Sequence, residues 1–417
     1  MAQLRAPMPS TEADSRPESW GPRQAEAQPQ TRRREFLVFG NPRIEEEEIA
    51  EVVDSLRSGW LSTGPKVAKF EEMFRDYTGS RYAKAVNSCT AGLHLSLIVA
   101  GIGAGDEVIT TPMTFAATAN SIVHVGAKPV FVDIDRRSMN IDPDLIEGAV
   151  TRRTKAIVPV HFAGRPCDMD AITEIANKYN LAVIEDAAHS VESWYKGRKI
   201  GNIGDLTAFS FYVTKNVVTG EGGMVTTNNR EWANRIERYA LHGLSKGAWK
   251  RYSDEGFKHY QVVCPGFKYN MMDIQAALGI HQLARVEGYL ERRQAVWQRY
   301  DEALRDLPVI TPAPQEPDTV HGRHLYTLLL DIDRLDIDRD GFQHALHYQN
   351  IGTGIHFIAL HLHPYYRDSY GYTRGDFPNA EWVSDRTISL PLSAKLTDQD
   401  VEDVASSVTG IISNFTS

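Results

Sequence analysis

Leu181-Ala182-Val183-Ile184-Glu185-Asp186-Ala187-Ala188-His189 is the stretch whose reading decides the fold. A short β-rich apolar run ends in two carboxylates, and small residues and a histidine follow. A run of this length, unbroken by polar residues, reads as a strand covered on both faces. Working outward, similar runs at 82–86, 108–111, 129–132 and 156–160 alternate with helical stretches at 90–101, 116–125, 143–150 and 169–179. Two further short strands follow at 207–212 and 223–227. Strands alternating with helices over a hundred residues imply an α/β fold with a mostly parallel, helix-covered sheet.

The flanks complete the outline. Ile49, Val52, Val53 and Leu56 have helical spacing within 45–58, and a second helix is expected over 65–77. A long helical region at 274–304 leads away from the sheet. Beyond residue 307 the composition shifts to a Pro-containing linker (311–317), a strand (325–332), a helix (339–349), a His-rich segment (355–366) and a closing strand–helix pair (388–411). This predicts a large domain at 35–290 and a smaller C-terminal α+β domain at 291–417. Residues 1–34, rich in Pro, Gln, Glu, Ser and Arg, carry too little apolar area to offset ordering entropy, so they read as a disordered extension.

Composition narrows the function classes. The 417 residues carry 45 Lys+Arg against 54 Asp+Glu, a net charge of −9, which argues against a dedicated nucleic-acid binder. No stretch approaches the roughly 20 uncharged apolar residues that span a bilayer, and no apolar segment of a secretory leader stands near the start. Cys89, Cys167 and Cys264 are too few and too scattered for a disulfide framework or a zinc site, which points to a reducing cytoplasm.

Asp186 closes its strand, and in open α/β sheets ligands sit at the carboxyl ends of strands. Taken alone, the same residue also serves as a turn or helix cap. Downstream, Phe209-Ser210-Phe211-Tyr212-Val213-Thr214-Lys215-Asn216 precedes Thr219-Gly220-Glu221-Gly222-Gly223. A lysine past a strand, beside a glycine-rich loop, suits covalent chemistry, because a buried lysine sheds its charge and becomes a nucleophile. A lone lysine is more often solvated surface. Paired with Asp186 the balance reverses: pyridoxal phosphate chemistry needs a lysine for the aldehyde, a carboxylate for the pyridine nitrogen and donors for the phosphate. Asn87-Ser88-Cys89-Thr90-Ala91-Gly92, between a strand and a helix, supplies such donors, since helix N-termini bind anions. It reads equally as an ordinary N-cap by Ser88 or Thr90. Phe115, at the next helix start, either stacks on a ring or joins the core.

EDAAHS (185–190), FSFYVTKN (209–216) and TGEGGMVTT (219–227), with NSCTAGLHL (87–95) upstream and GFKYNMMDIQAALG (266–279) and SLPL (389–392) downstream, resemble the DegT/StrS-type sugar aminotransferases. The resemblance runs from about residue 36 to the C-terminus. It implies a pyridoxal 5'-phosphate enzyme of the aspartate-aminotransferase fold (fold type I), with 35–290 as the cofactor-binding domain. By position, it makes Lys215 the Schiff-base lysine and Asp186 the partner of the pyridinium nitrogen. His189 matches the contact to the ring hydroxyl, and Phe115 the stacking aromatic. Thr90, Ala91 and Ser210 match phosphate-binding positions. Asn270 matches an asparagine that reaches the phosphate of a second subunit, which implies a homodimer with shared sites. Thr63, with Trp60, Ser62 and Gly64, resembles the stretch near the substrate sugar. His361, within 356–366, resembles the substrate-facing loop.

The implied reaction is transamination of a nucleotide-linked ketosugar with glutamate as donor and 2-oxoglutarate as its product. The stretch 242–252 resembles enzymes that aminate C4 of a UDP-linked sugar in cell-surface glycan synthesis. Amination at C3, or of a keto-inositol, is the alternative. Pyridoxamine-dependent sugar dehydratases resemble the family too, but carry histidine where Lys215 stands. A non-catalytic relative would be expected to lack the lysine or the acid, and both are present. His356, His361 and His363 have only Asp368 nearby, thin support for a metal site, so no metal is expected. His161 reads as a core or wall residue, and Lys66, Arg251 and Arg285 as solvated side chains unless they meet a diphosphate.

Overall fold

The computed structural model describes residues 32–245 and 260–416. Two helices, α1 (Glu46–Ser58) and α2 (Pro65–Thr78), precede an alternating run. That run is β1 (Tyr82–Val86), α3 (Cys89–Val99), β2 (Glu107–Thr110), α4 (Ala116–His124), β3 (Lys128–Phe131), α5 (Pro143–Ala149), β4 (Thr154–Ile157), α6 (Met169–Tyr179) and β5 (Ala182–Asp186). A hairpin of β6 (Trp194–Tyr195) and β7 (Arg198–Lys199) leads to β8 (Leu206–Ser210), β9 (Gly223–Thr227), α7 (Arg230–Ala240) and the 32-residue α8 (Asp273–Leu304). The rest comprises β10 (Val309–Ile310), β11 (Thr319–Val320), β12 (Tyr326–Leu330), α9 (Arg339–Tyr348), α10 (Pro364–Tyr370), α11 (Pro378–Ser384), β13 (Thr387–Leu390) and α12 (Asp398–Asn414).

The main sheet has the order β1-β9-β8-β5-β4-β2-β3. Only β9 runs against its neighbours, and the other contacts of the sheet are parallel. Every residue of β8 and β9 is buried, as strands covered on both faces require. Ala208 and Phe209 show how this works: Ala208 packs with Leu93 and Leu97 of α3, while Phe209 packs with Phe70 and Phe74 of α2. The two-residue period of a strand sends adjacent side chains to opposite layers.

The long helix α8 serves two cores. Ala276, Ile280, Leu283 and Val286 pack in the cluster against the main sheet, whereas Val296, Trp297, Tyr300 and Leu304 pack with β12, β13 and α12. The change falls between Val286 and Val296, inside a continuous helix. Arg33, which the sequence reading places in the N-terminal extension, pairs with Asp400 at 2.7 Å and with Asp403. Among the described residues no helix is long and apolar enough to cross a membrane.

Local departures from the expected elements have physical causes. The run 181–184 extends to Asp186, because β8 pairs Ile184, Glu185 and Asp186 with Leu206, Thr207 and Ala208. The run 156–160 leaves the ladder after Ile157, and Val160 returns only as a bridge to Asp186. The small sheet β11-β6-β7 consists of two-residue strands, too short for any periodicity to show.

Candidate active site

Asp186 is the last residue of β5 and 5% exposed. The hydroxyl of Thr118 donates to Oδ2 at 2.7 Å, and the Ala188 N–H donates to Oδ1 at 3.1 Å. Burial pushes the carboxyl pKa up, against the pull of these two donors and of Lys215. Lys215 follows β8 in a turn whose backbone N–H donates to Tyr212 O at 2.8 Å. Desolvation pulls its pKa down to about 8 although Cys89 and Asp186 oppose the shift. The neutral amine is therefore far more accessible near neutral pH than in an exposed lysine. Both residues line one cavity of about 610 Å³.

His189 lines the same cavity and is buried. Its Nδ1 accepts the Ala163 N–H at 3.2 Å, and burial beside Lys215 pushes the ring pKa well down. The ring is thus neutral with its proton on Nε2, a donor rather than an acceptor. Phe115 stands at the N-cap of α4 and is 64% exposed, so it belongs to the cavity wall and not to the core. Ser88, Cys89 and Thr90, at the start of α3, form another part of the wall. The first N–H groups of a helix have no partner within it, so this edge presents donors to an anion. Ser210 Oγ accepts the Tyr212 N–H at 3.4 Å, and among the described residues its own hydroxyl proton has no acceptor. Gly223 lets β9 begin against this helix start: a Cβ there would lie 2.6 Å from the Ser88 carbonyl carbon.

Some expected residues lie elsewhere. Ala91 is buried behind the cavity edge, and its N–H donates to Ser88 Oγ at 3.1 Å. Thr63 and Asn270 do not line the Lys215 cavity. They meet in a second cavity of about 310 Å³, where Asn270 Nδ2 donates to Thr63 Oγ1 at 2.8 Å and Thr63 donates to Met271 O at 2.6 Å. His361 also departs from expectation. It is fully buried, 2.9 Å from Glu381, and packs against Phe377, because the turn at Leu360–Leu362 folds the segment back into an aromatic cluster. Ile355, His356 and Phe357 are the residues of that segment that line the cavity.

The three histidines of that segment go separate ways: His356 to Ser389, His361 to Glu381 and His363 to Ile358 O. His161 is a satisfied core residue. Its Nδ1 accepts the Cys167 N–H at 3.0 Å and its Nε2 donates to Glu185 at 2.8 Å. Lys66 pairs with Glu51 and Asp54, and Arg285 with Glu48 and Glu47. Arg251 and most of the 242–252 stretch lie outside the described residues.

Residues that sequence reasoning passed over complete the site. Asn216, next to Lys215, donates to Glu192 and to Gly322 O, both at 2.9 Å, and accepts from His324 Nδ1 at 3.0 Å. Glu192 in turn pairs with the buried Arg293, and the His324 ring lies 4.5 Å from that of His189. Only Asn216, as the neighbour of the lysine, stands out in the sequence. Together the cavity residues fit pyridoxal phosphate. A buried carboxylate shares the cavity with a lysine of depressed pKa, a neutral histidine offers an N–H, and a helix start offers phosphate donors beside a glycine where a Cβ would clash with it.

The model of the DegT/DnrJ/EryC1/StrS aminotransferase family matches residues 42–409. The spore coat polysaccharide biosynthesis protein SpsC of Bacillus subtilis is 52% identical over 91% of this chain and 98% of its own length. Among solved structures, Spr1654 of Streptococcus pneumoniae, described as a sugar aminotransferase and solved in its PLP form, superposes with a TM-score of 0.84. It is 34% identical and covers 91% of this chain and 100% of its own. DesI, solved with its TDP-sugar product, gives a TM-score of 0.81 at 32% identity, covering 92% of this chain and 94% of its own. The chain belongs to the DegT/DnrJ/EryC1/StrS aminotransferase family, and with it to the pyridoxal-phosphate-dependent sugar aminotransferases of fold type I.

Proposed function

We propose that this protein moves an amino group from glutamate to C4 of a UDP-linked 4-ketosugar. The observation that carries the reading is the placement of Lys215, its pKa lowered to about 8, in one cavity with the buried Asp186. When bound, pyridoxal phosphate supplies the electron sink for moving a proton and an amine between two carbons. Lys215 would hold the cofactor and, with its amine free, would carry the proton between the substrate carbon and the cofactor. Asp186, as a buried anion, keeps a proton on the ring nitrogen. His189 would offer its Nε2 proton to the ring oxygen, Phe115 would cover the ring face, and the Thr90 edge with Ser210 would hold the phosphate.

Thr63 and Asn270 have a different place in this reading. Their cavity is separate from Lys215, which suits residues that act on a second copy, so the proposed working unit is a homodimer with shared sites. The large domain, 35–290, supplies the cofactor groups, and the small domain, 291–417, brings Ile355, His356 and Phe357 to the cavity. The TDP-sugar bound to DesI supports a nucleotide-linked substrate. The test is a panel of UDP-linked 4-ketosugars, 3-ketosugars and a keto-inositol, each with glutamate, read by product mass. Amination of a UDP-linked 4-ketosugar is the expected result. Turnover of only the 3-ketosugar or only the keto-inositol overturns the substrate assignment.

A further inference from the structure

Asp186 is buried, yet its proposed task requires it to remain an anion. Among the described residues, two donors reach it. One is the backbone N–H of Ala188, and the other is the hydroxyl of Thr118 on the first turn of α4. Thr118 is itself buried, and its Oγ1 lies 2.7 Å from that of Thr114, also buried. An ionised carboxylate accepts and cannot donate. The single proton of Thr118 must then point to Asp186, and its lone pair must accept the proton of Thr114. The pair has one direction, Thr114 to Thr118 to Asp186, for as long as Asp186 is charged. The same turn carries Phe115, whose carbonyl accepts the Thr118 N–H at 3.2 Å. One turn of helix therefore aligns the ring-covering aromatic with the donor that holds the acid.

We infer that Thr118 is a positioning residue for the transamination: its hydroxyl, oriented by Thr114, keeps Asp186 ionised and aimed at the cofactor's ring nitrogen. This rests on the proposed role of Asp186. A hydrogen bond to a buried charge is stronger than a neutral one, and a carboxylate that loses such a donor is a poorer anion. The ring nitrogen beside it then holds its proton less firmly. A weaker positive charge on the ring lets the nitrogen between cofactor and Lys215 keep its own proton to higher pH.

The test uses the full-length holoenzyme and Thr118→Val, which keeps shape and removes the hydroxyl. Two quantities are read besides activity: the dissociation constant of pyridoxal phosphate, and the pH midpoint of the visible band of the lysine-bound cofactor. Thr118→Val is expected to weaken cofactor binding by about tenfold and to raise the midpoint, as loss of a charge-assisted hydrogen bond implies. Thr118→Ser is expected to restore both. Should Thr118→Val not fold, Thr114→Val reads the same midpoint, with a smaller upward shift. An unchanged midpoint in the valine variants overturns the inference, provided that Asp186→Asn moves it. If Asp186→Asn also leaves the midpoint in place, the role of Asp186 itself is wrong.

Discussion

Glu185 and Asp186 are neighbours on one strand and face opposite layers of the sheet. Glu185 is fully buried and accepts three donors: His161 Nε2 at 2.8 Å, Gly204 N–H at 2.7 Å and Thr207 Oγ1 at 2.8 Å. Asp186 accepts Thr118 and the Ala188 N–H and lines the cavity that holds Lys215. Two carboxylates with the same backbone environment thus have different work. The first is saturated by protein donors, which ties β5 to β8 and to the 161 loop. The second keeps a side free for a ligand. Burial alone does not mark a functional acid; an incomplete set of partners facing a cavity does.

The contrast is broken first by removing the lysine. Lys215→Ala is expected to lower turnover by about 10⁴-fold or more, since it deletes both the nucleophile and the proton carrier. Borohydride treatment then no longer fixes the cofactor to the chain. Near-normal turnover in the purified variant would remove the basis for the site.

The two acids give the next test, as a crossed pair. Glu185→Ala leaves three buried donors without an acceptor and is expected to cost about 3–5 kcal/mol of stability, read by denaturant unfolding. Asp186→Asn keeps shape and packing and is expected to leave the unfolding midpoint of the cofactor-free protein close to wild type. Its turnover falls by about 10²-fold or more, because the ring nitrogen loses its counter-charge. If Asp186→Asn unfolds the protein and Glu185→Ala abolishes turnover in a stable fold, the roles are reversed.

What the sequence shows of this pair follows from chain locality. Asp186, His189 and Lys215 lie within short motifs, so strand-end chemistry and spacing reveal them. Thr118 reaches the site because α4 packs beside α3 at the strand ends, and His324 because the 321–324 segment packs beside the lysine turn. No local pattern announces a contact spanning 68 or 108 residues. That His361, unlike His356, lies away from the cavity has the same origin. Both sit in one His-rich segment, and the turn at Leu360–Leu362 that separates them depends on the aromatic cluster of Phe131, Tyr372 and Phe377 beneath it.

Lys215 also makes the cofactor-free protein sensitive to pH. Its folded pKa of about 8 lies below the ordinary value of 10.5. Between those values the unfolded chain binds more protons than the folded one, so stability rises with pH across that window. Below about pH 8 the cost of burying the charged amine is present in full. Lys215→Met is expected to flatten this rise in unfolding temperature, measured on apo protein from pH 7 to about pH 10.5. An identical slope in both proteins would mean that the amine is solvated, and would return Lys215 to the class of surface lysines.

The smallest effect is expected at Phe115. Its ring is mostly exposed in the cavity wall, 6.3 Å from Phe357, and contributes little to the core. Phe115→Leu should leave apo stability within about 0.5 kcal/mol of wild type, as for surface substitutions away from packing. Cofactor affinity should fall by several-fold, because aromatic stacking contributes about 0.5–1.5 kcal/mol beyond burial. The variant thereby separates the two sides of the strand once more: a change on the Asp186 side reads out in ligand binding, with the fold untouched. Unchanged affinity would mean that the ring face is covered by another group, and Phe357, stacked at 17° to His189 across the same cavity, is the side chain to substitute next.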